Sequence, residues 1–303
     1  VYGGGREVLG PLMQSGKIDV LAFIGTSQAA DSLKRQHPKP HRLRCVLGLE
    51  AKNPGIILDD ADLDNAVKEC ILGTLSFNGQ RCTALKILFV HEGISEAFIT
   101  KFKAAVDELK GGMPWDAQVQ ITALPEPNKT KYLTELIQDA CDKGAHVINK
   151  DGGLAIGTYM SPTVVYPVTA DMRLYSEEQF GPVIPVVPFR DIREPMQYVT
   201  ESNYGQQVSL FGTNPQMLAE LIDPLVNQVC RVNVNSQCQR GPDAFPFTGR
   251  KDSAEGTLSV SDALRVFTIR TLVAARETDR NRDIIRSIIQ ERRSRFLSTD
   301  FIL

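Results

Sequence analysis

Short apolar runs alternate along this chain with stretches of helical spacing, and that alternation restricts the fold more than any other feature. Val20-Leu21-Ala22-Phe23-Ile24 is a buried-strand run ending in Gly25-Thr26-Ser27, with Thr26 or Ser27 available to cap a following helix. Further strand runs are Val46-Leu47, Gly55-Ile56-Ile57-Leu58, Ile87-Leu88-Phe89-Val90, Thr163 to Tyr166, Val183 to Phe189, Gln207 to Phe211 and Cys230 to Val234. Helical spacing is read over Glu7 to Ser15, Leu63 to Leu75, Ile94 to Leu109, Tyr132 to Lys143 and Gln216 to Leu225. Asp59, Asp60 and Asp62 supply an acidic helix start, and Gly144 a stop. Strand and helix in turn predict an α/β fold with largely parallel sheets.

Composition then narrows the class. With 303 residues, 42% hydrophobic and 23% charged, the chain has enough apolar material for two cored domains, and a disordered chain is excluded. A net charge of -2 gives no field for nucleic acid or an anionic membrane, so any anionic ligand must be held locally. No apolar run approaches the roughly 18 to 20 residues needed to cross a bilayer, and the opening residues do not read as a signal peptide. The expected compartment is the cytoplasm, with neither nucleic acid nor membrane as a partner. Six cysteines, Cys45, Cys70, Cys82, Cys141, Cys230 and Cys238, lack the spacing of a disulfide framework or zinc ribbon, so reduced thiols and no metal site are expected. Because Val1 already falls inside the alternation, the chain reads as a fragment or a processed piece.

Phe77-Asn78-Gly79-Gln80-Arg81-Cys82-Thr83 is where chemistry first shows. A cysteine past a helix end, behind a glycine and beside Arg81, can be exposed and electrostatically activated. Taken alone, a lone cysteine is more often a small buried hydrophobe.

Other blocks change that balance. Gly25-Thr26-Ser27, Leu49-Glu50-Ala51-Lys52-Asn53-Pro54, Gly79-Gln80-Arg81-Cys82, Glu177-Glu178-Gln179-Phe180-Gly181-Pro182 and Pro246-Phe247-Thr248-Gly249-Arg250-Lys251-Asp252-Ser253 share the order and intervals of the aldehyde dehydrogenase superfamily. The chain resembles the C-terminal three-fifths or so of such an enzyme, from Val1 to about Ala275. The resemblance implies a partial Rossmann-type cofactor domain followed by an α/β catalytic domain, with NADP or NAD as cofactor. It places Gly25, Thr26 and Ser27 near the cofactor, Glu178 on the nicotinamide ribose, Phe180 beside the nicotinamide, and Cys82 as the nucleophile that attacks the aldehyde. The chemistry is coherent: a thiohemiacetal, hydride transfer to the nicotinamide, then hydrolysis of a thioester by water that a carboxylate activates.

The chain departs from the family pattern in two places. Where the family has the glutamate of a Glu-Leu-Gly-Gly-Lys block, this chain has Gly48, and a glutamate stands instead at Glu50. In an extended segment both positions share a face, with origins roughly 6 to 7 Å apart, so Glu50 is a candidate general base. The competing reading pairs Glu50 with a neighbouring cation and leaves another base, or an impaired enzyme. The family's Pro-Trp-Asn oxyanion segment and its adenine-ribose lysine would lie upstream; Trp115, in Gly-Met-Pro-Trp-Asp, is not that block. The piece alone is therefore expected to bind cofactor weakly.

Within the superfamily, Asn235-Ser236-Gln237-Cys238-Gln239-Arg240-Gly241-Pro242-Asp243 with Phe245-Pro246-Phe247 is similar to the non-phosphorylating, NADP-dependent glyceraldehyde-3-phosphate dehydrogenases. That resemblance implies that Arg240 and Arg81 hold the substrate phosphate, for which the guanidinium fork is suited. The plainer reading pairs Arg240 with Asp243. Two functions stay open: an aldehyde dehydrogenase forming a carboxylic acid, or a catalytically silent homologue acting as a structural or binding subunit.

Other features take plainer readings. His37 and His41 have metal-compatible spacing, but Pro38 and Pro40 forbid the helix that would align them, so a solvated loop is expected. Gly3-Gly4-Gly5 reads at most as a turn beside the cofactor diphosphate. Cys230 is assigned to packing, while Cys238 is expected to approach the substrate pocket. The layout read from the sequence is 1–49 as the remainder of the cofactor domain, 50–262 as the catalytic domain and 263–275 as an oligomerisation strand. The rest, 276–303, is an extension with an amphipathic helix around Ile284, Ile285, Ile288 and Ile289. A small-molecule aldehyde and a homo-oligomer, dimer or tetramer, are the expected partners. The helix is read as docking on its own or a neighbouring subunit, with a membrane surface or anionic partner as the alternative.

Overall fold

The computed structural model describes residues 4–297. Two compact units divide it, Val1–Phe267 and Thr268–Leu303. In chain order the first contains α1 (Gly5–Gln14), β1 (Val20–Ile24), α2 (Ser27–Gln36), β2 (Arg44–Gly48), β3 (Asn53–Ile57), α3 (Leu63–Leu75), β4 (Leu85–His91), α4 (Glu92–Asp107) and α5 (Lys129–Asp142). It continues with β5 (His146–Val147), β6 (Ala155–Ile156), β7 (Tyr159–Met160), β8 (Thr163–Tyr166), α6 (Arg173–Ser176), β9 (Val183–Phe189), α7 (Arg193–Glu201), β10 (Tyr204–Gly205) and β11 (Gln207–Phe211). Last come α8 (Pro215–Leu225), β12 (Arg231–Val234), β13 (Arg250–Lys251), β14 (Ala254–Glu255) and α9 (Val260–Val266).

Seven strands form the main sheet in the order β12-β11-β3-β4-β9-β8-β5. All its pairings are parallel except β5 against β8 at the edge, in keeping with the α/β expectation. Both faces are covered, which is why β3, β9 and β11 are buried almost throughout, with no alternation of buried and exposed positions. One face, with Ile87, Phe89, Val183, Val187, Val208 and Leu210, packs on Leu133, Leu136 and Ala140 of α5, Tyr198 of α7 and Leu218 and Leu221 of α8. The other, with Ile57, Leu85, Leu88 and Val90, packs on Val67 and Cys70 of α3 and Phe98 and Phe102 of α4. Asp62 caps α3 as its acidic start predicts, its side chain accepting the Asp64 and Asn65 N–H groups.

A second, three-stranded sheet, β1-β2-β14, has its own small core of Met13, Leu21, Ala30, Leu33, Leu47 and Leu49. β14 comes from beyond residue 250 and runs antiparallel to β2, so this layer is completed by chain from the segment read as catalytic.

Three expectations change. His37 is not in a solvated loop: it is buried, its Nε2 lying 3.1 Å from the Ile18 carbonyl while Nδ1 accepts the Lys39 N–H. A ring with both nitrogens so used is a structural pin for the turn after α2; His41 is exposed. The strand expected over 263–275 is not formed: its first residues lie in α9, and Thr268–Arg276 carries no strand pairing. An edge strand needs a ladder partner to satisfy its backbone, and within the described residues this segment has none. Gly4 and Gly5 are the N-cap and first residue of α1; Gly3 lies outside the described residues.

In the second unit, the amphipathic helix is present as α10 (Asp279–Gln290), capped by Thr278, which accepts the Asn281 N–H. None of its residues is buried. Residues 298–303 of the extension lie outside the described residues.

Candidate active site

Cys82 sits on the turn that joins α3 to β4. α3 stops at Leu75, and a 3-10 turn over Ser76–Gly79 follows, with Phe77 (φ 54°), Asn78 (φ 58°) and Gly79 (φ 70°) in the left-handed region. Only glycine fits at 79, because a Cβ there would come within 2.7 Å of both the Thr74 and Gly181 carbonyl oxygens. Asn78 tolerates its conformation through its amide: Oδ1 accepts the Thr122 N–H at 2.9 Å and Nδ2 donates to Thr122 Oγ1 at 3.1 Å. The turn closes with the Ala84 N–H on the Arg81 carbonyl at 3.1 Å, leaving Cys82 half-buried at its tip.

Two buried side chains hold the Cys82 carbonyl: Asn53 Nδ2 donates to it at 2.8 Å and Lys86 Nζ at 3.2 Å. Asn53 also donates to the Ala84 carbonyl at 3.1 Å and accepts the Gln207 N–H at 3.0 Å, so it ties β3, the Cys82 turn and β11 together. Lys86 owes its aim to an irregularity. Asn53 pairs with Leu85 but Pro54 with Ile87, so Lys86 is the extra residue of a bulge in β4. Its effect is visible in the packing, where Leu85 and Leu88 share one face of the sheet although three residues apart.

The segment after α6 separates two adjacent glutamates. Glu177 turns to Arg173, with Nε and Nη2 at 2.8 and 2.9 Å, and the Arg173 hydrogen bond holds its carboxyl below the usual range. Glu178 turns inward, its Oε1 accepting the Ala51 N–H at 3.0 Å and meeting Lys86 Nζ at 2.8 Å. Lys52, fully buried, donates to the Glu177 carbonyl at 2.7 Å and to Gln179 Oε1 at 2.6 Å. Both acceptors are neutral; burial, with Lys86 nearby, pushes the Lys52 ammonium well below the usual lysine range. Phe180 has φ 44°, a left-handed backbone that a bulky residue rarely adopts, and its ring lies 5.6 Å from Lys86 Nζ and 5.7 Å from Lys129 Nζ. Lys52, Asn53, Lys86 and Gln179 have no role in the sequence reading. A signal was present, since two lysines and an asparagine inside near-continuous apolar runs require buried partners.

Gly25, Thr26 and Ser27 form the turn from β1 into α2. Thr26 is the N-cap, its Oγ1 accepting the Ala29 N–H at 3.2 Å, and Ser27 is the first helical residue. The parallel register puts Ile24 beside Gly48, which brings Glu50 to this turn. Its Oε2 accepts the Ser27 N–H at 2.8 Å. Glu50 is thus paired with a backbone amide at a helix N-terminus, and among the described residues no cation pairs with it. Beside this turn, a cavity of about 490 Å³ lies between α1 and α2, lined by Leu9, Phe23, Thr26, Gln28, Ala29 and Leu33. Mixed apolar and polar walls next to a helix N-terminus fit part of a dinucleotide.

The two arginines differ. Arg81 lies over the Phe77 ring at 5.5 Å and reaches Gln237 Oε1 at 3.4 Å. Its buried Nε has no hydrogen-bond partner among the described residues, and burial lowers the guanidinium's pKa. Arg240 is exposed, 3.7 Å from Asp243 Oδ1 and stacked over Phe247 at 5.3 Å, as in the plainer reading. Cys230, assigned to packing, is exposed, while Cys238 is fully buried with Sγ 3.3 Å from Ser209 Oγ, and burial raises its thiol to about 12. Among the described residues, no cluster of three or more metal-ligating side chains occurs and no helix is long and apolar enough to cross a membrane.

The chain is similar to known proteins over most of its length. The NADP-dependent glyceraldehyde-3-phosphate dehydrogenase of Streptococcus equinus is 37% identical over 226 residues, 74% of this chain and 46% of that protein. The enzyme of the same name from Arabidopsis thaliana is 32% identical over 271 residues, 88% of this chain and 52% of its own length. The crystal structure of NADP-dependent glyceraldehyde-3-phosphate dehydrogenase from Bacillus halodurans C-125, complexed with NADP, superposes with a TM-score of 0.82 at 32% identity, over 87% of this chain and 54% of that one. The chain spans about half the length of these relatives. The family model "Aldehyde dehydrogenase family" matches residues 1–273, and the chain belongs to that family.

Proposed function

We propose that this chain carries the nucleophile and the nicotinamide-ribose end of an NADP- or NAD-dependent dehydrogenase that oxidises glyceraldehyde 3-phosphate to its carboxylic acid. The observation that carries the reading is the state of Arg81. Next to a clamped, half-buried cysteine, a guanidinium has a buried Nε without a partner among the described residues, which leaves it donor capacity for an anionic substrate. The relatives' names favour NADP and the same phosphorylated aldehyde.

On this reading Cys82 Sγ adds to the aldehyde carbon and its backbone N–H faces the oxyanion. Glu178 holds the nicotinamide ribose, with Phe180 beside the ring and Gly25 to Ser27 along the rest of the cofactor. The nicotinamide, when bound, supplies the hydride acceptor. What remains on Cys82 is a thioester. Glu50 activates the water that hydrolyses it, which requires its carboxylate to leave the Ser27 amide, and the products are the acid and the restored thiol. The exposed apolar residues Ile269, Leu272 and Val273 suit pairing of subunits in a homo-oligomer.

A second reading, a catalytically silent homologue serving as a subunit, is favoured by the engagement of Glu50 at Ser27. The test is direct. The full-length protein should reduce NADP with glyceraldehyde 3-phosphate, and Cys82→Ser should lose nearly all turnover while keeping cofactor affinity within a few-fold. Absence of turnover in the parent supports the silent homologue; turnover retained in Cys82→Ser refutes the role of the cysteine.

A further inference from the structure

One buried ammonium touches three parts of the site. Lys86, 2% exposed, meets Glu178 Oε1 at 2.8 Å, donates to the Cys82 carbonyl at 3.2 Å and lies 5.6 Å from the Phe180 ring centre. The bulge in β4 produces this convergence. In an unbroken strand, residues 85 and 87 would share a face; here Leu85 packs with Leu88, and residue 86 is left out of the pairing with β3. Burying an ammonium is costly unless it is paired, and Glu178, itself mostly buried, is its ion-pair partner. Lys52 beside it bonds only neutral oxygens, so Lys86 is the cation paired with this carboxylate, whose Oε1 also accepts the Ala51 N–H.

We propose that Lys86 is a positioning residue, linking the carboxylate at Glu178 to the nucleophile turn so that the reactivity of the Cys82 thiol depends on this buried ion pair. The assignment of Cys82 and Glu178 to the reaction rests on the proposed function; the link between them rests on the contacts alone. Lys86 Nζ donates to the carbonyl of Cys82 itself, so the charge it carries acts on the nucleophile turn at short range, and its sign sets the direction. Removing the ammonium should therefore slow Cys82 as a nucleophile, and neutralising its partner should do the opposite.

Alkylation by iodoacetamide reads this in the chain itself, at fixed pH, with labelled sites located by peptide mapping and Cys45, in the small sheet, as internal reference. Lys86→Met should slow labelling of Cys82 by about fivefold or more relative to Cys45, and Glu178→Gln should speed it by about twofold or more. A merely structural role would instead speed labelling of the buried Cys70 and Cys238 along with Cys82. A Cys82 rate within twofold of the parent in folded Lys86→Met, or slowing in both variants, overturns the proposal. If Lys86→Met does not fold, Glu178→Gln decides: a faster Cys82 supports the link, and an unchanged or slower one refutes it. Because alkylation needs neither aldehyde nor cofactor, a full-length protein without dehydrogenase activity would overturn the proposed function and leave this result standing.

Discussion

The carboxylate of Glu50 accepts the backbone N–H of Ser27 at 2.8 Å, joining the residue offered as a base to the helix start offered as a cofactor contact. An anionic group at a helix N-terminus is favoured by the unsatisfied N–H groups there and by the helix dipole. The contact has a consequence for testing. In Glu50→Gln the amide oxygen can still accept the Ser27 N–H, so the fold should survive with a loss of at most about 1 kcal/mol. The full-length variant should then keep its first burst of NADPH and accumulate an acyl adduct on Cys82, detected by intact mass. Burst and steady state falling together would remove Glu50 from deacylation.

Arg81 and Arg240 should separate by substrate. In the full-length enzyme Arg240→Ala is expected to raise KM for glyceraldehyde 3-phosphate about tenfold to a hundredfold and to change turnover of glyceraldehyde little, since a charge-assisted contact contributes about 1.5 to 3 kcal/mol. Arg81→Gln should show the same selectivity. Equal impairment on both aldehydes for Arg240→Ala would mean that its contacts with Asp243 and Phe247 only shape the loop.

Gly79→Ala tests the turn that presents Cys82. With φ at 70° and two carbonyl oxygens 2.7 Å from the added Cβ, the substitution should cost about 2 to 4 kcal/mol in a urea melt. A loss under about 1 kcal/mol would show that the turn adapts freely.

Stability should fall at alkaline pH. Burial raises the thiols of Cys70, well above its ordinary value, and of Cys238, to about 12. In the unfolded chain both ionise near their ordinary pKa of about 8.5, so above that pH the unfolded state binds fewer protons than the native one, and stability drops with rising pH. The drop is absent below about pH 8 and, near pH 10, approaches roughly 1.4 kcal/mol per pH unit for each thiol. Urea melts at pH 7.5 and 10 check it. Cys238→Ala should show a shallower decline than the parent, and an equal decline in both would refute the assignment for Cys238.

How much of this was legible beforehand depends on the range of the interaction. The long strands and helices of the main sheet follow from apolar runs and helical spacing, and the family blocks bring out Cys82, Glu178 and the Gly25 to Ser27 turn. Two-residue strands such as β5, β10, β13 and β14 have no periodicity to read, and α7 carries Pro195 inside it. From spacing alone Glu177 and Glu178 are equivalent; Arg173 one helical turn before Glu177 draws it outward and leaves Glu178 to Lys86.

Local physics therefore determined the class of fold and its long elements and pointed to Cys82 as the candidate nucleophile, because backbone preference, apolar period and motif spacing are properties of neighbouring residues. Tertiary structure decided which polar groups meet. Asn53 reaches Cys82 from another strand, Lys86 turns into the site because β4 bulges against β3, and Glu50 meets Ser27 because β1 and β2 run parallel in register. Each depends on where strands far apart in sequence are placed side by side, and burial then requires every polar group so placed to find a partner.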